Sequence, residues 1–120
     1  MKNSHMEPLF DQEVLRNALQ ERLWEVLRSK VRWFLFFALY SCKDKITLRE
    51  LKKKAKLGKI GYRELSKHLS ILCAAGLVRE LVKVSELDEP PTPDNRYFQI
   101  TTIGRRIFEK LKPIYEILTQ

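Results

Sequence analysis

One stretch limits the folds open to this chain more than any other: residues 59–78, KIGYRELSKHLSILCAAGLV. Leu65, Leu69 and Leu72 recur in it at i, i+4 and i+7, the spacing of a narrow apolar stripe along one side of an α-helix. The side opposite the stripe carries basic and hydroxyl side chains, namely Arg63, Lys67 and Ser70. A short helix with one buried edge and one basic edge has the shape and chemistry that the major groove of double-stranded DNA accepts.

The end of this helix is also marked in the sequence. Gly76 stands where a left-handed C′ residue is expected, and Leu77-Val78 begins a strand. The pattern S-K-H-L-x-x-L-x-x-A-G-L-V at residues 66–78 resembles the recognition helix of winged helix-turn-helix regulators, in the broad MarR and ArsR-like superfamily with its archaeal-type members. The family's T-x-x-G-R wing exit has a counterpart in residues 101–105, so the resemblance covers about residues 27–112.

This resemblance implies a fold class that is mostly α with a small antiparallel β-hairpin wing (α+β), plus additional helices at both ends. A chain of 120 residues is large enough for one core but not for a separate catalytic or effector domain. We therefore expect a single winged-helix domain over residues 1–120. It would comprise an N-terminal tail and dimerisation helix (1–28), a winged helix-turn-helix core (29–102) and a C-terminal helix (103–120).

The charge of the chain is concentrated around the same stretch. A net charge of +8 and a pI near 9.7 favour a polyanionic partner, with nucleic acid the leading class and an anionic membrane surface the second. Residues 43–67 contain ten Lys or Arg and three acidic residues, which amounts to +7 of the excess. Generic surface charge would intersperse acids more evenly, so a localised footprint on phosphate is the better interpretation.

The segment before the recognition helix predicts a second, lysine-rich helix. Thr47 and Glu50 form a capping box that starts it at Leu48. Four lysines follow at Lys52, Lys53, Lys54 and Lys56, and phosphates would neutralise them. The spacing from Glu50 to Leu69 is three residues longer than the family's. Either this helix or the turn at residues 57–61 must be extended.

The wing is expected from residues 79–88 and 96–101, two strand-like segments around a proline-rich loop. In the family the wing tip often places a basic residue in the minor groove, and Arg96 is the candidate here. The carboxylates expected around it are Glu86, Asp88, Glu89 and Asp94. Phosphates repel these carboxylates, so we expect a weaker wing contact than the family norm.

Two terminal helices carry apolar stripes that exceed the needs of one small core. The first runs from an N-cap at Asp11 to about Arg28, and the last begins after Thr101 or Thr102 and is bent or interrupted at Pro113. Packing within one subunit is one interpretation, and pairing with a second copy is the one we favour. The predicted dimerisation residues are Leu15, Leu19, Leu23, Val26, Ile107, Leu111, Ile114 and Leu118.

Around Ser29 we expect a break, because the following segment resembles the family's first core helix. Its aromatic residues cover nearly every face, and they are Trp33, Phe34, Phe36, Phe37 and Tyr40. A ligand-binding aromatic cluster is an alternative, but a helix buried from several sides explains the pattern better.

No catalytic site, metal site or cofactor is predicted, so we expect a protein that is not an enzyme. His68 falls at the margin of the apolar stripe, where packing explains it better than catalysis. Cys42 and Cys73 lie far apart without a CxxC motif, which is typical of reduced thiols. A redox sensor acting through Cys73 is a weaker alternative. The apolar run at residues 31–40 is too short for a bilayer span, and with no leader evident we expect a cytoplasmic, nucleoid-associated protein.

We therefore predict a homodimer that binds double-stranded DNA sequence-specifically and regulates transcription, without a membrane partner. The alternatives are a chromatin or architectural nucleic-acid binder without sequence preference, and a winged-helix protein-interaction module of the transcription machinery. The predicted DNA-binding residues are Lys52, Lys53, Lys56, Lys59, Tyr62, Arg63, Ser66, Lys67, Ser70 and Arg96.

Overall fold

The structure, a computed structural model, describes residues 23–118 of the chain. The expected helix start at Asp11 and the predicted dimerisation residues Leu15 and Leu19 lie outside these residues. The side chains of Ile114 and Leu118 also lie outside the described part, although the backbone of both is helical.

The described chain is mostly helical with one small antiparallel sheet, which confirms the predicted fold class. A helical segment at residues 23–27 comes first. The elements that follow are α1 (Lys30–Tyr40), β1 (Ile46–Thr47), α2 (Leu48–Lys54), α3 (Tyr62–Ala74), β2 (Val78–Leu81), a 3₁₀ turn (Val84–Glu86), β3 (Tyr97–Ile100) and α4 (Thr102–Leu118). The strand order is β1-β3-β2, with β3 antiparallel to both neighbours.

Three helices begin at hydroxyl side chains that cap them, and the sequence predicted the caps of α2 and α4. Ser29 accepts a hydrogen bond at 3.3 Å from the backbone N–H three residues further on, which marks the break before α1. Thr47 and Glu50 form the full reciprocal capping box at the start of α2. Thr101 accepts the Gly104 backbone N–H at 2.9 Å at the start of α4. Each cap satisfies a donor that the first turn of a helix leaves unpaired.

The hairpin of β2 and β3 with its connection, residues 78–100, is called the wing below, and its first strand is shorter than predicted. The ladder ends where Leu81 pairs with Tyr97, and the expected strand over residues 82–88 is instead a coil with a 3₁₀ turn. Asn95, which is buried, accepts the Thr92 N–H at 2.7 Å and donates to the Pro90 carbonyl at 2.9 Å. Residues 90–95 are therefore folded into a turn and offer residues 82–88 no strand to pair with.

The sheet also contains a strand that the sequence did not reveal. β1 has two residues, and Ile46 pairs with Phe98 on the side of β3 away from β2. Two residues are too few to show the alternation on which strand prediction rests. The pairing attaches the start of α2 to the wing, because the backbone N–H of Leu48 donates to the Arg96 carbonyl at 2.8 Å.

The core lies between α1, α3 and α4, and Phe108 is at its aromatic centre. Tyr40 stacks on the Phe108 ring at 4.5 Å between centroids, and Phe36 meets it edge-on at 5.1 Å. Trp33 and Phe37 complete the cluster at 6.5 and 5.8 Å. Edge-on pairs are worth about 0.5–1.5 kcal/mol beyond their buried area. The aromatic residues of α1 thus pack the core, as the sequence indicated.

The wing, α3 and α4 meet at Leu77. Its carbonyl accepts the Thr101 N–H at 3.0 Å, and the Thr101 hydroxyl donates to the Gly76 carbonyl at 2.7 Å. A Cβ on Gly104 would overlap the Leu77 carbonyl oxygen, so only glycine allows this approach. α4 then continues through Pro113 to Leu118, so the predicted interruption at that proline does not occur.

Candidate nucleic-acid interface

The two sides of α3 differ as its sequence predicts. Leu65, Leu69 and Leu72 are completely buried, and α3 packs by this side against α1. The opposite side is exposed to solvent and carries Arg63, Lys67 and Ser70. The helix therefore presents a polar, basic surface on a rigid support.

α3 ends in a motif that fixes the chain direction. Gly76 has a φ of +78°, its N–H donates to the Cys73 carbonyl at 2.9 Å, and the Leu77 N–H donates to the Leu72 carbonyl at 3.1 Å. These two bonds define a Schellman motif, which favours glycine at the left-handed position. The predicted role of Gly76 is confirmed.

α2 ends in the same motif with a lysine in place of the glycine. Lys56 has a φ of +57°, its N–H donates to the Lys53 carbonyl at 3.0 Å, and the Leu57 N–H donates to the Lys52 carbonyl at 3.1 Å. A left-handed backbone costs an L-residue about 1–2 kcal/mol. α2 has only seven residues, so the extra length that the sequence indicated lies in the turn and not in the helix.

An open cleft of about 530 Å³ lies between α2 and the first turn of α3. Its lining combines four cationic side chains with one aromatic ring, namely Arg49, Lys52, Lys53, Lys56 and Tyr62, together with Gly58. The Lys52 ammonium lies 4.4 Å from the centre of the Tyr62 ring and the Arg49 guanidinium lies 5.7 Å from it. Tyr62 thereby holds two cations at one wall of the cleft.

Most cations of this region have no internal counter-charge. Within residues 23–118, the lysines of α2 and the following turn form no salt bridge, and neither do Arg63 and Lys67. The exposed members of this set are Lys53, Lys54, Lys56, Lys59, Arg63 and Lys67. We call these residues with the cleft the basic surface. Its charge is available to an external polyanion.

Arg49 is the exception, and the sequence analysis did not single it out. It grips the Asp94 carboxylate with two hydrogen bonds of 2.6 and 3.2 Å, and its N–H donates to the Pro93 carbonyl at 3.0 Å. The hydrogen bond from Arg49 holds the pKa of Asp94 below its usual value. Arg49 thus ties the wing loop to α2. Its partner is 45 residues away, so no local pattern reveals the pair.

Arg96 directly precedes β3, at the loop end of the β2–β3 ladder, and its carboxylate partner is not one of those predicted. It forms a bidentate pair with Glu80 at 2.8 and 3.1 Å, across the β2–β3 ladder. Its third hydrogen bond donates to the Ser66 hydroxyl at 2.7 Å. Of the expected neighbours, Glu86 instead accepts from Tyr97 and Asp94 pairs with Arg49. The hydroxyl of Ser66 therefore faces the wing, and Arg96 braces the wing against α3.

The free part of the wing is apolar and acidic. Val82, Val84 and Leu87 are 54%, 85% and 62% exposed. Residues 82–95 contain one lysine and four acidic residues. This composition is opposite to that of the basic surface, because its carboxylates outnumber its single lysine four to one.

Cys42 and Cys73 are free and partly buried. Burial is the largest cause that raises the pKa of the Cys42 and Cys73 thiols, which disfavours the reactive thiolate at both. Residues 23–118 contain no cluster of three His, Cys, Asp or Glu side chains that could hold a metal ion. No helix in the same part of the chain combines the length and apolar character that crossing a membrane requires.

No protein-family model matches the sequence, and no curated protein does. Solved structures match it closely in shape. The transcriptional repressor BigR from Xylella fastidiosa is 19% identical with a TM-score of 0.60, over 88% of this chain and 97% of that one. A structure assigned to the MarR family, from Porphyromonas gingivalis W83, is 18% identical with a TM-score of 0.62, over 95% and 98% of the two chains.

A third similar structure is the homodimeric winged helix-turn-helix DNA-binding domain Mb0332 from Mycobacterium bovis, described as an ArsR-family candidate. It is 14% identical with a TM-score of 0.65, over 92% of this chain and 91% of that one. The chain has the winged-helix fold. At these identities the similarity establishes the fold alone. In this winged helix, α3 is the helix that directly precedes the wing.

The residues predicted for dimerisation separate into two groups in the winged helix. Val26 is 2% exposed and belongs to the core of its own subunit, so its predicted role in an interface is wrong. Ile107 and Leu111 also pack against this core, but both stay partly exposed, as does Leu23. The large apolar side chains left exposed near the two ends are Trp24, Ile103 and Ile117.

Proposed function

We propose that this winged helix binds double-stranded DNA and regulates transcription, with α3 in the major groove. One observation carries the proposal: the exposed polar side of α3 lies next to a cleft whose lysines have no counter-charge among residues 23–118. A groove-sized helix and a phosphate-binding surface are the two parts that duplex recognition needs. No catalytic role is part of this proposal.

The basic surface divides into positioning contacts and base contacts. Lys52, Lys53, Lys56 and Lys59 would contact phosphates, because they lie before the recognition helix. Tyr62, Arg63, Lys67 and Ser70 would face the groove. Arg63 is the best base reader, since a guanidinium can donate to guanine O6 and N7 together. Ser66 and Arg96 would contribute indirectly, by holding the wing against α3.

The test is selection of bound sequences from random duplex DNA, followed by competition against unselected duplex at two salt concentrations. Enrichment of one motif, lost in Arg63→Ala or Lys67→Ala, supports sequence-specific regulation. If both variants lose affinity equally for every duplex, the protein is an architectural binder without sequence preference. Absence of any salt-dependent binding would overturn both versions.

We further propose that the protein acts as a homodimer. The exposed Trp24, Ile103 and Ile117 support this, as does the homodimeric state of the similar Mycobacterium bovis domain. A two-fold dimer would place the recognition helices about 34 Å apart, one DNA turn, or a multiple of it. Light scattering should show a dimer that Ile117→Asp weakens and the exposed control Lys112→Ala does not. A wild-type monomer at micromolar concentration would contradict the proposal.

The wing favours a second candidate function, a protein-interaction module. Its exposed Val82, Val84 and Leu87 among carboxylates are better suited to a protein surface than to phosphate. The random-duplex selection separates the two candidates. A module without DNA affinity would show no enriched motif and no salt-dependent binding.

A further inference from the structure

Arg32 connects three helices through one buried guanidinium. It lies on α1 and is only 6% exposed. Its Nε donates to the Val26 carbonyl at 2.8 Å and one Nη to the Glu25 carbonyl at 2.7 Å. The other Nη lies 2.9 Å from Nδ1 of His68 on α3, 36 residues away in sequence.

The unpaired backbone carbonyls at the C-terminal end of the 23–27 segment explain why an arginine is suited to position 32. The last carbonyls of a helix have no partners within it, and they carry partial negative charge. Arg32 satisfies the Glu25 and Val26 carbonyls, and the Trp33 indole N–H donates to the Leu27 carbonyl at 2.7 Å. Among residues 23–118 no carboxylate forms a salt bridge with Arg32. Its charge is thus balanced by backbone dipoles and an imidazole.

The contact between Arg32 and His68 exists in only one protonation state of the histidine. A guanidinium can only donate, so Nδ1 must accept and must be unprotonated. The single proton of the neutral ring is then on Nε2, which lies 4.0 Å from the Glu64 carboxylate. A second proton on the ring would occupy Nδ1, remove the hydrogen bond and place two cations in contact.

The groups around His68 act on its pKa in opposite directions, and those that lower it prevail. Burial, followed by the Arg32 charge, lowers the pKa of His68, and Glu64 opposes them. On the segment before α1, Glu25 and Arg28 act on Arg32 with opposite signs. The Glu80–Arg96 pair of the wing touches α3 at Ser66, which is two residues from His68 and so on the opposite side of the helix.

We propose that Arg32 and His68 are positioning residues that hold the recognition helix against the 23–27 segment, and that protonation of His68 releases this hold and weakens DNA binding. The inference rests on the proposed function and names a regulation of it. Above the ordinary histidine pKa of 6.5 the His68 ring is neutral and the Arg32–His68 hydrogen bond is intact. The state without this hydrogen bond has the higher His68 pKa, so it binds the proton first as the pH falls below that value. Protonation therefore favours the state in which the hydrogen bond is broken.

The position of this contact gives it a functional consequence. The 23–27 segment is the end of the helix predicted to pair two subunits, and α3 is the helix proposed to enter the groove. Arg32 is their direct polar link. We therefore expect a change at either end to reach the other through Arg32, and a coupling of this kind is worth about fivefold or more in affinity.

The decisive variant is His68→Asn, whose side-chain oxygen can accept from Arg32 but does not titrate. We expect wild-type affinity for a selected duplex to fall about fivefold or more between about pH 8 and about pH 5.5, and the His68→Asn affinity to change much less. Added positive charge alone would strengthen DNA binding at low pH, so the expected sign is opposite to the nonspecific effect. Equal pH dependence in the two proteins would overturn the regulation.

Nitrogen NMR of the His68 ring tests the link without DNA. The expected result is the Nε2–H tautomer with a pKa below 6.5, and a rise of that pKa in Arg32→Lys, whose ammonium cannot span the three acceptors. Glu64→Gln is the matched control, because loss of the carboxylate should lower the pKa further. A proton on Nδ1 of the neutral ring would show that the Arg32–His68 hydrogen bond does not form.

If the wild-type protein binds no duplex at either pH, both the proposed function and its regulation are wrong. The tautomer measurement still tests the Arg32–His68 hydrogen bond in that case.

Discussion

The basic surface and the wing are neighbouring regions joined by the Arg49–Asp94 pair, and their cations differ in whether they have a partner. The lysines of α2 and the following turn have no salt-bridge partner in the described chain, whereas the wing's Arg96 is paired with Glu80 and its loop is fastened by Arg49 to Asp94. Unpaired cations lower the cost of meeting a polyanion. The N–H donors of paired cations are already hydrogen-bonded to acceptors within the protein, where they stabilise the fold. The basic surface and the wing are therefore distinguished by what their cations contact, not by how many each contains.

The largest effect should come from removing several free lysines together. Replacing Lys53, Lys56 and Lys59 by Gln should flatten the log–log salt dependence of DNA affinity by about 0.9 per lost phosphate contact. Affinity should fall alike for all duplexes, because phosphate contacts are independent of sequence. A matched wing variant, with Glu86, Asp88 and Glu89 replaced by their amides, should change the slope little. A larger effect from the wing variant would reverse the comparison.

The second effect tests the division within the basic surface. Arg63→Ala should cost about 1–3 kcal/mol on the preferred site and much less on random DNA. Lys53→Ala should instead weaken both duplexes by the same factor. Competition titrations of the two variants with both duplexes measure the difference. Should Lys67→Ala show the larger loss of specificity, the base-reading role belongs one turn further along α3, as the lengthened turn would explain.

The third effect concerns the wing. Arg96→Ala removes a bidentate pair with Glu80 and the hydrogen bond to Ser66, so unfolding free energy should fall by about 1–2 kcal/mol. The salt slope of DNA binding should stay as in wild type, because the Arg96 charge is already compensated. Urea denaturation and a salt titration on one preparation provide both readings. A lower slope with unchanged stability would show that Arg96 contacts phosphate after all.

The smallest effect separates stability from affinity at a single residue. Lys56→Gly relieves a left-handed lysine and should stabilise the fold by about 0.5–1 kcal/mol, while it removes one phosphate contact. Lys56→Ala removes the same contact without relieving the backbone, and so serves as the control. Thermal unfolding and DNA affinity should therefore change in opposite directions for the glycine variant alone.

The sequence predicted those parts of the fold that repeat locally or carry a marker residue. The spacing of Leu65, Leu69 and Leu72 gave α3 and its buried side, and Thr47 with Glu50 gave the start of α2. Gly76 marked the end of α3, but the same motif at Lys56 has no glycine and left no signal. The sequence therefore indicated that the turn between α2 and α3 could be long, but it did not predict the backbone conformation of that turn.

What the sequence could not show are contacts between distant residues. Arg32 and His68 are separated by 36 residues, and Arg96 and Ser66 by 30, so no periodicity connects them. Ser66 was predicted to face the groove because it lies near the polar side of α3. The structure shows that its hydroxyl instead accepts a hydrogen bond from Arg96 of the wing. Charge counts located the basic surface correctly, yet counting cannot tell a free arginine from a paired one.

The close contact at Gly104 places a mechanical restriction on the whole assembly. The Leu77 N–H donates to the Leu72 carbonyl near the end of α3, and the Leu77 carbonyl accepts the Thr101 N–H at the start of α4, so one residue is bonded to both helices. Because a side chain at position 104 would overlap the Leu77 carbonyl oxygen, the start of α4 stays in direct contact with this residue. We therefore expect a displacement of α4 to be transmitted to the end of α3 through Leu77.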